Sequence, residues 1–256
     1  MNARRLFLLA SLSLTLPCVA GELIIPLVTY YDYAPFHSAE DSADLTHELA
    51  ALLTRESGGR YRFVPTLLPK KRIDNMMQFQ HWQGVIAWTN PRFFYDENKT
   101  RYLWTEPLLV EADLVVSHID APVKFAGLDT LRGKVLGTVL NQRYADVEPM
   151  LANRQLRRAD APTLESNVRK LLLKRVDVVF ISRSALSGLR HRIPDFESQL
   201  YIAPQPRNTF TRHLMLTPGL PPAVISYVQQ TTAHFEHNPA WRDLTLRYHV
   251  DGQVPH

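Results

Sequence analysis

Short apolar runs alternate with helical stripes along most of the chain. Leu23 to Tyr30, Tyr61 to Leu68, Gly84 to Thr89, Leu109 to Ile119, Lys134 to Leu140, Val176 to Ser182 and His213 to Leu216 are rich in Val, Ile, Leu and Tyr. Several end at Pro, Asn or Asp, and each run predicts a strand. Leu45, Leu49, Leu52 and Leu53 are spaced 0, 4, 7 and 8, as are Leu164, Val168, Leu171 and Leu172, so each set predicts one apolar helix face. Gly58 and Gly59 follow the first stripe and predict its C-terminal stop. Strand-helix-strand alternation implies an α/β fold with mostly parallel sheets covered on both faces. The sequence shows neither an internal repeat nor a long Gly/Ser linker. Two lobes would therefore be joined by structured crossovers, for which Leu109 to Ile119 and the Pro-rich stretch Ala203 to Thr211 are the candidates.

The first twenty residues follow another pattern. Arg4 and Arg5 precede the apolar run Leu6 to Leu16, then Pro17, Cys18, Val19 and Ala20. The run is too short to span a bilayer permanently, and the small Ala20 suits cleavage, so residues 1–20 read as a signal peptide. Leu16 and Pro17 stand where a lipoprotein signal has small residues, which argues against acylation of Cys18. Cleavage removes the only cysteine. The expected product is a soluble periplasmic protein without a disulfide or a thiol nucleophile.

The chain has 256 residues, 45% hydrophobic and 21% charged, enough for one large domain or two lobes. Lys plus Arg number 29 against 25 Asp plus Glu; without Arg4 and Arg5 the balance is 27 minus 25, or +2. Nucleic-acid binding needs a clustered basic face, so no nucleic-acid partner is expected. The sequence also lacks a G-x-S-x-G elbow, an S-x-x-K, a Walker loop, a G-x-G-x-x-G and an H-E-x-x-H. His234 and His237 have no third ligand at a metal-binding spacing. The expectation is a non-catalytic protein without a metal or cofactor.

Several blocks, in order, carry a resemblance. TYYDYAPF ends the first strand; LTHELAALL, YRFVPTLLPKKR, GVIAWTNP, RYLWTEPLL, LRGKVLGTVLNQRY and KRVDVVFISRSAL follow. Together they cover most of Glu22 to Trp241, and the chain resembles the family 3 extracellular solute-binding proteins, the periplasmic receptors of amino-acid-type ABC importers. The resemblance implies a two-lobed clamp of the periplasmic-binding-protein type II, with lobe one at 22–109 and 206–256 and lobe two at 111–203. It implies a monomer that closes on a small-molecule ligand and meets an inner-membrane ABC permease or sensor. Some proteins of this fold are periplasmic dehydratases, which gives an enzymatic alternative in which Glu40, Asp41 or Glu111 would be recruited.

The aromatic cluster Tyr30, Tyr31, Tyr33 and Phe36 follows the first strand and can sandwich a ligand's apolar body while phenol hydroxyls orient it. Trp88, Thr89 and Asn90 end another strand where the family places ligand contacts. By resemblance, an arginine before the YLWTEPLL block grips a carboxylate. Asn98 aligns there, leaving Arg101 or Arg92 as substitutes. The family's ammonium-binding aspartate aligns with Ser182, which has no charge to pair with an amine. Asn141, Gln142, Arg143 and Tyr144 occupy the lobe-two loop before a helix, where unpaired N–H groups can hold an anion. Lys70, Lys71 and Arg72 read more simply as a solvated face.

Overall fold

The computed structural model describes residues 22–38, 43–78 and 82–250. The expected signal peptide, Cys18, Glu40 and Asp41 lie outside them. The first part of the chain forms β1 (Leu23–Thr29), α1 (Leu45–Glu56), β2 (Tyr61–Leu67), α2 (Lys70–Gln78), β3 (Val85–Thr89) and β4 (Leu103–Trp104). The middle part forms β5 (Leu109–His118), β6 (Val135–Val139), α3 (Glu148–Ala152), β7 (Arg157–Ala161), α4 (Leu164–Leu172) and β8 (Val178–Ser182). Then come α5 (Leu186–Arg192), α6 (Phe196–Gln199), β9 (Leu200–Ile202), β10 (Asn208–Leu216), α7 (Pro222–Ala233) and α8 (Pro239–Arg247).

Local chemistry explains where the two predicted helices begin. Asp44 caps α1 by accepting from the His47 amide at 2.9 Å, and Thr163 caps α4 by accepting from the Ser166 amide at 3.1 Å. Both stripes face a core: Leu45, Leu49, Leu52 and Leu53 on α1, and Leu164, Val168 and Leu171 on α4, are buried. Leu172, the last position of the second stripe, is only partly buried.

The strand order is β2-β1-β3-β10-β5-β8-β6-β7, with β4 on β10 and β9 on β5. β2-β1-β3 and β8-β6-β7 pair in parallel, as strand-helix alternation requires. The centre is antiparallel. Asn208–Arg212 of β10 pairs with Leu109–Asp113 of β5, whereas the later part of β10 pairs with β3 and β4. Beyond its contact with β10, β5 continues along β8. Two adjacent strands thus carry the chain from one end of the sheet to the other.

Each end has its own core on both sheet faces. Leu27, Leu49, Val85, Leu214, Val228 and Trp241 pack on one face of β2-β1-β3, and Val28, Ile86, Phe94, Trp104 and Met215 on the other. Across the crossover, Leu114, Val168, Val179 and Leu189 fill one face and Leu136, Tyr144, Val178 and Phe180 the opposite one. Among the described residues, Tyr33 packs against a core from each end. No helix among them is long and apolar enough to cross a membrane.

Candidate functional site

The segment after β1 folds its rings into a nest. The Tyr30 hydroxyl lies 3.0 Å from the Tyr31 hydroxyl and 3.0 Å from Thr89 Oγ1. Ring centroids are 5.2 Å apart for Tyr31 and Phe36, 6.0 Å for Tyr33 and Phe36, and 5.3 Å for Phe36 and Trp88. Such tilted and edge-on contacts suit aromatic quadrupoles. Trp88 and Phe36 are fully buried.

β3 contributes a distortion at this point. Between paired positions it runs from Ile86 to Thr89 while β10 runs only from Met215 to His213, so β3 bulges. Trp88 in the bulge has φ 64, a left-handed conformation that costs a bulky residue about 1–3 kcal/mol. Neighbouring contacts hold it there: the indole Nε1 donates to Thr46 Oγ1 at 2.9 Å, and the ring stacks on Trp241.

The Trp88 carbonyl meets the centre of the site, Arg212. Its Nη1 donates to that oxygen at 2.8 Å, Nε to Glu111 Oε2 at 3.1 Å, and Nη2 to Ser182 Oγ at 3.3 Å. Tyr31 and Phe36 rings lie 4.6 Å from the guanidinium carbon and Phe210 at 5.2 Å, giving a cation–π cage. Arg212 has 0% exposure and Glu111 2%. Glu111 is itself held by Ser184, whose hydroxyl donates to Oε2 at 2.5 Å. Burial works against the Arg212 charge, but its surroundings, the paired Glu111 among them, outweigh it and raise the guanidinium's pKa. Conversely, burial pushes the Tyr30 and Tyr33 hydroxyls well above the usual phenol range, so they act as neutral hydrogen-bonding groups.

A second ion pair lies along the same two strands. Arg207 on β10 pairs with Asp113 on β5 and with Asp146, while its guanidinium carbon sits 4.8 Å from the Tyr144 ring and 4.6 Å from Phe180. Ser182 Oγ donates to Asp113 Oδ1 at 3.3 Å. Burial raises the Asp113 pKa, and Arg207 only partly offsets this. Both carboxylates nearest Ser182 are therefore already matched to arginines.

The two ends of the molecule also touch beside this cluster. A Cβ placed on Gly188 of α5 would come 2.7 Å from the Ala34 Cβ, in the loop after β1. Glycine inside a helix costs about 1 kcal/mol relative to alanine, and the close approach explains its presence. Gly188→Leu is expected to wedge the ends apart, increasing the radius of gyration in small-angle scattering with unchanged far-ultraviolet dichroism. An unchanged scattering curve would show that the loop yields instead.

No protein-family model matches the chain, and no curated protein matches it in sequence. Solved structures do match in shape. An ancestral arginine-binding protein bound to arginine has a TM-score of 0.69 at 11% identity, over 88% of this chain and 97% of that one. A structure from the study of glutathione import via GshT and the cystine ABC importer TcyBC of Streptococcus mutans has a TM-score of 0.69 at 14% identity, over 92% and 98%. The ancestral amino-acid-binding protein AncCDT-1, a precursor of cyclohexadienyl dehydratase, has a TM-score of 0.65 at 13% identity, over 88% and 95%. The chain has the fold of these binding proteins.

On this binding-protein fold, the residues singled out from the sequence fall into two groups. Tyr30, Tyr33, Phe36, Trp88, Thr89 and Ser182 converge around Arg212. Asn90 borders them, its Nδ2 donating to the Thr211 carbonyl at 2.8 Å while Oδ1 caps the short turn Pro91–Phe94. The others stand apart from the cage. Arg101 is exposed with its guanidinium carbon 5.3 Å from the Tyr102 ring. Gln142 and Arg143 are exposed in the turn after β6, and Tyr144 is buried beneath Arg207. Among the described residues, no group of three His, Cys, Asp or Glu side chains is placed to hold a metal.

Sequence reasoning missed Arg212 and the partnership of Glu111 with it. The available signal was an arginine and a glutamate on facing runs, Thr209 to Leu214 and Leu109 to Leu114, each flanked by apolar residues.

Proposed function

We propose that the chain is a periplasmic solute-binding clamp, with lobe one at 22–109 and 206–256 and lobe two at 111–203, that captures a small polar carboxylate for an ABC importer. The observation that carries this reading is the convergence of Tyr30, Tyr33, the Trp88 carbonyl, Ser182 and Arg212 at the β5/β10 crossover. Polar groups from both ends meet there against aromatic walls, the composition of a small-molecule site. The fold shared with arginine- and other amino-acid-binding proteins supports solute capture.

The charge pattern narrows the solute. Ser182 is uncharged, and Glu111 and Asp113 are committed to Arg212 and Arg207. An ammonium group thus finds no free carboxylate, whereas a carboxylate finds the neutral Tyr30 and Tyr33 hydroxyls as donors. An enzymatic use of Glu111 is disfavoured by the same pairing, because both oxygens of its buried carboxylate are already engaged by Arg212, Ser184 and the Ala112 amide.

Thermal unfolding against a panel of organic acids and amino acids tests the proposal. A non-amino carboxylate at 100 times its Kd is expected to add about 2.7 kcal/mol of stability. A panel without any stabilising compound would defeat the solute-binding reading, and tight binding of an unmodified α-amino acid would defeat the charge argument.

A further inference from the structure

The aromatic cage is filled by the chain's own guanidinium. Arg212 has aromatic rings around it, a carboxylate at Nε, a carbonyl at Nη1 and a hydroxyl at Nη2. Its donors reach both ends of the molecule: Trp88 belongs to β3, and Ser182 ends β8. Glu111 extends the connection to Ser184 in the turn after β8. The Gly188–Ala34 approach and the Tyr33 ring bring the same two ends into contact beside it. The arrangement needs no solute to complete it.

We propose that Arg212 is an intramolecular ligand, a guanidinium tethered to the crossover that occupies its own recognition site and holds the two ends closed without solute. A corollary is that the cage excludes external cations while Arg212 is present. Truncating Arg212 converts the cage into a site for a free guanidinium compound. The inference deepens the clamp reading, since it identifies what closes the clamp at rest.

Arg212→Ala removes the portion of the side chain that ethylguanidinium replaces, so that compound is the probe. The expected result has three parts. Arg212→Ala alone scatters as a wider particle than wild type. Ethylguanidinium at millimolar concentration raises its melting temperature and restores the wild-type scattering curve, whereas ethylammonium and urea, lacking a planar cationic fork, do not. Wild type responds to none of the three.

Loss of selectivity among the three probes, or an Arg212→Ala curve identical to wild type, would overturn the inference. If Arg212→Ala does not fold, solute-free wild type still decides the matter. A curve matching the closed structure upholds the inference, and a wider curve overturns it. A wild type that is closed but stabilised by no carboxylate would defeat the solute-binding proposal and leave Arg212's occupancy standing.

Discussion

Glu111→Ala is expected to lower unfolding stability by about 3–5 kcal/mol, because it strands the Arg212 guanidinium without its counter-charge in a place water does not reach. The loss exceeds that of an ordinary surface ion pair, which contributes about 0–1 kcal/mol, since neither partner can recover hydration here. Four bonds to Glu111 are removed together: those from Arg212 Nε, the Ser184 hydroxyl, the Ser184 amide and the Ala112 amide. Chemical denaturation checks the value. Removing both charges as Glu111→Leu with Arg212→Met is expected to recover much of the loss, because replacing a buried pair with packed apolar side chains is often close to neutral. If Glu111→Ala costs no more than the double variant, the pair carries no special coupling and the crossover is held by its backbone ladder alone.

That pair also marks where the sequence was legible and where it was not. All the predicted strands form, and α1 and α4 begin at the first residues of their leucine stripes. The buried positions of α1 and α4 recur at the helical period, whereas β3 and β8 are buried on both faces and read as continuous apolar runs. β10 extends to Asn208, five residues before the predicted start, because its first part is Asn, Thr, Phe, Thr and Arg. An arginine in a strand reads as a solvent-facing position; only its partner on the neighbouring strand, 101 residues away, makes it internal. β7, with sequence RRADA, escaped for a related reason: it pairs only with β6 and is largely open to solvent, so no apolar alternation is imposed on it. The aromatic cluster after β1 was visible as composition, but its occupant was not. Arg101 was selected by alignment to a carboxylate-gripping position. The structure turns it outward, because the loop that carries it is organised by a different residue.

That residue is Asp96, and Asp96→Asn is expected to cost about 2–4 kcal/mol. The buried carboxylate accepts from the amides of Thr100, Arg101 and Tyr102 at 2.8, 2.9 and 3.1 Å and from Trp104 Nε1 at 2.8 Å. The loop has left-handed residues at Tyr95 and Lys99, so these bonds hold a path the chain would not adopt unaided. Asparagine keeps the shape but turns one acceptor into a donor facing donors, and hydrogen bonds to charged groups contribute about 1.5–3 kcal/mol each without being additive. Burial opposes ionisation of Asp96, yet the Trp104 bond and the three amides together hold its pKa below the usual carboxylate value. A depressed folded-state pKa means that the unfolded chain binds the proton more readily. The stabilisation is therefore complete above the unfolded value of about 3.9 and disappears as pH falls through the lower folded value. The stability gap between wild type and Asp96→Asn should be constant from pH 5 to 7 and narrow below about pH 4. A gap that stays constant into strong acid would mean that the carboxylate's charge contributes nothing. The loop would then owe its shape to packing of Phe94 and Trp104, whose ring centroids lie 6.5 Å apart.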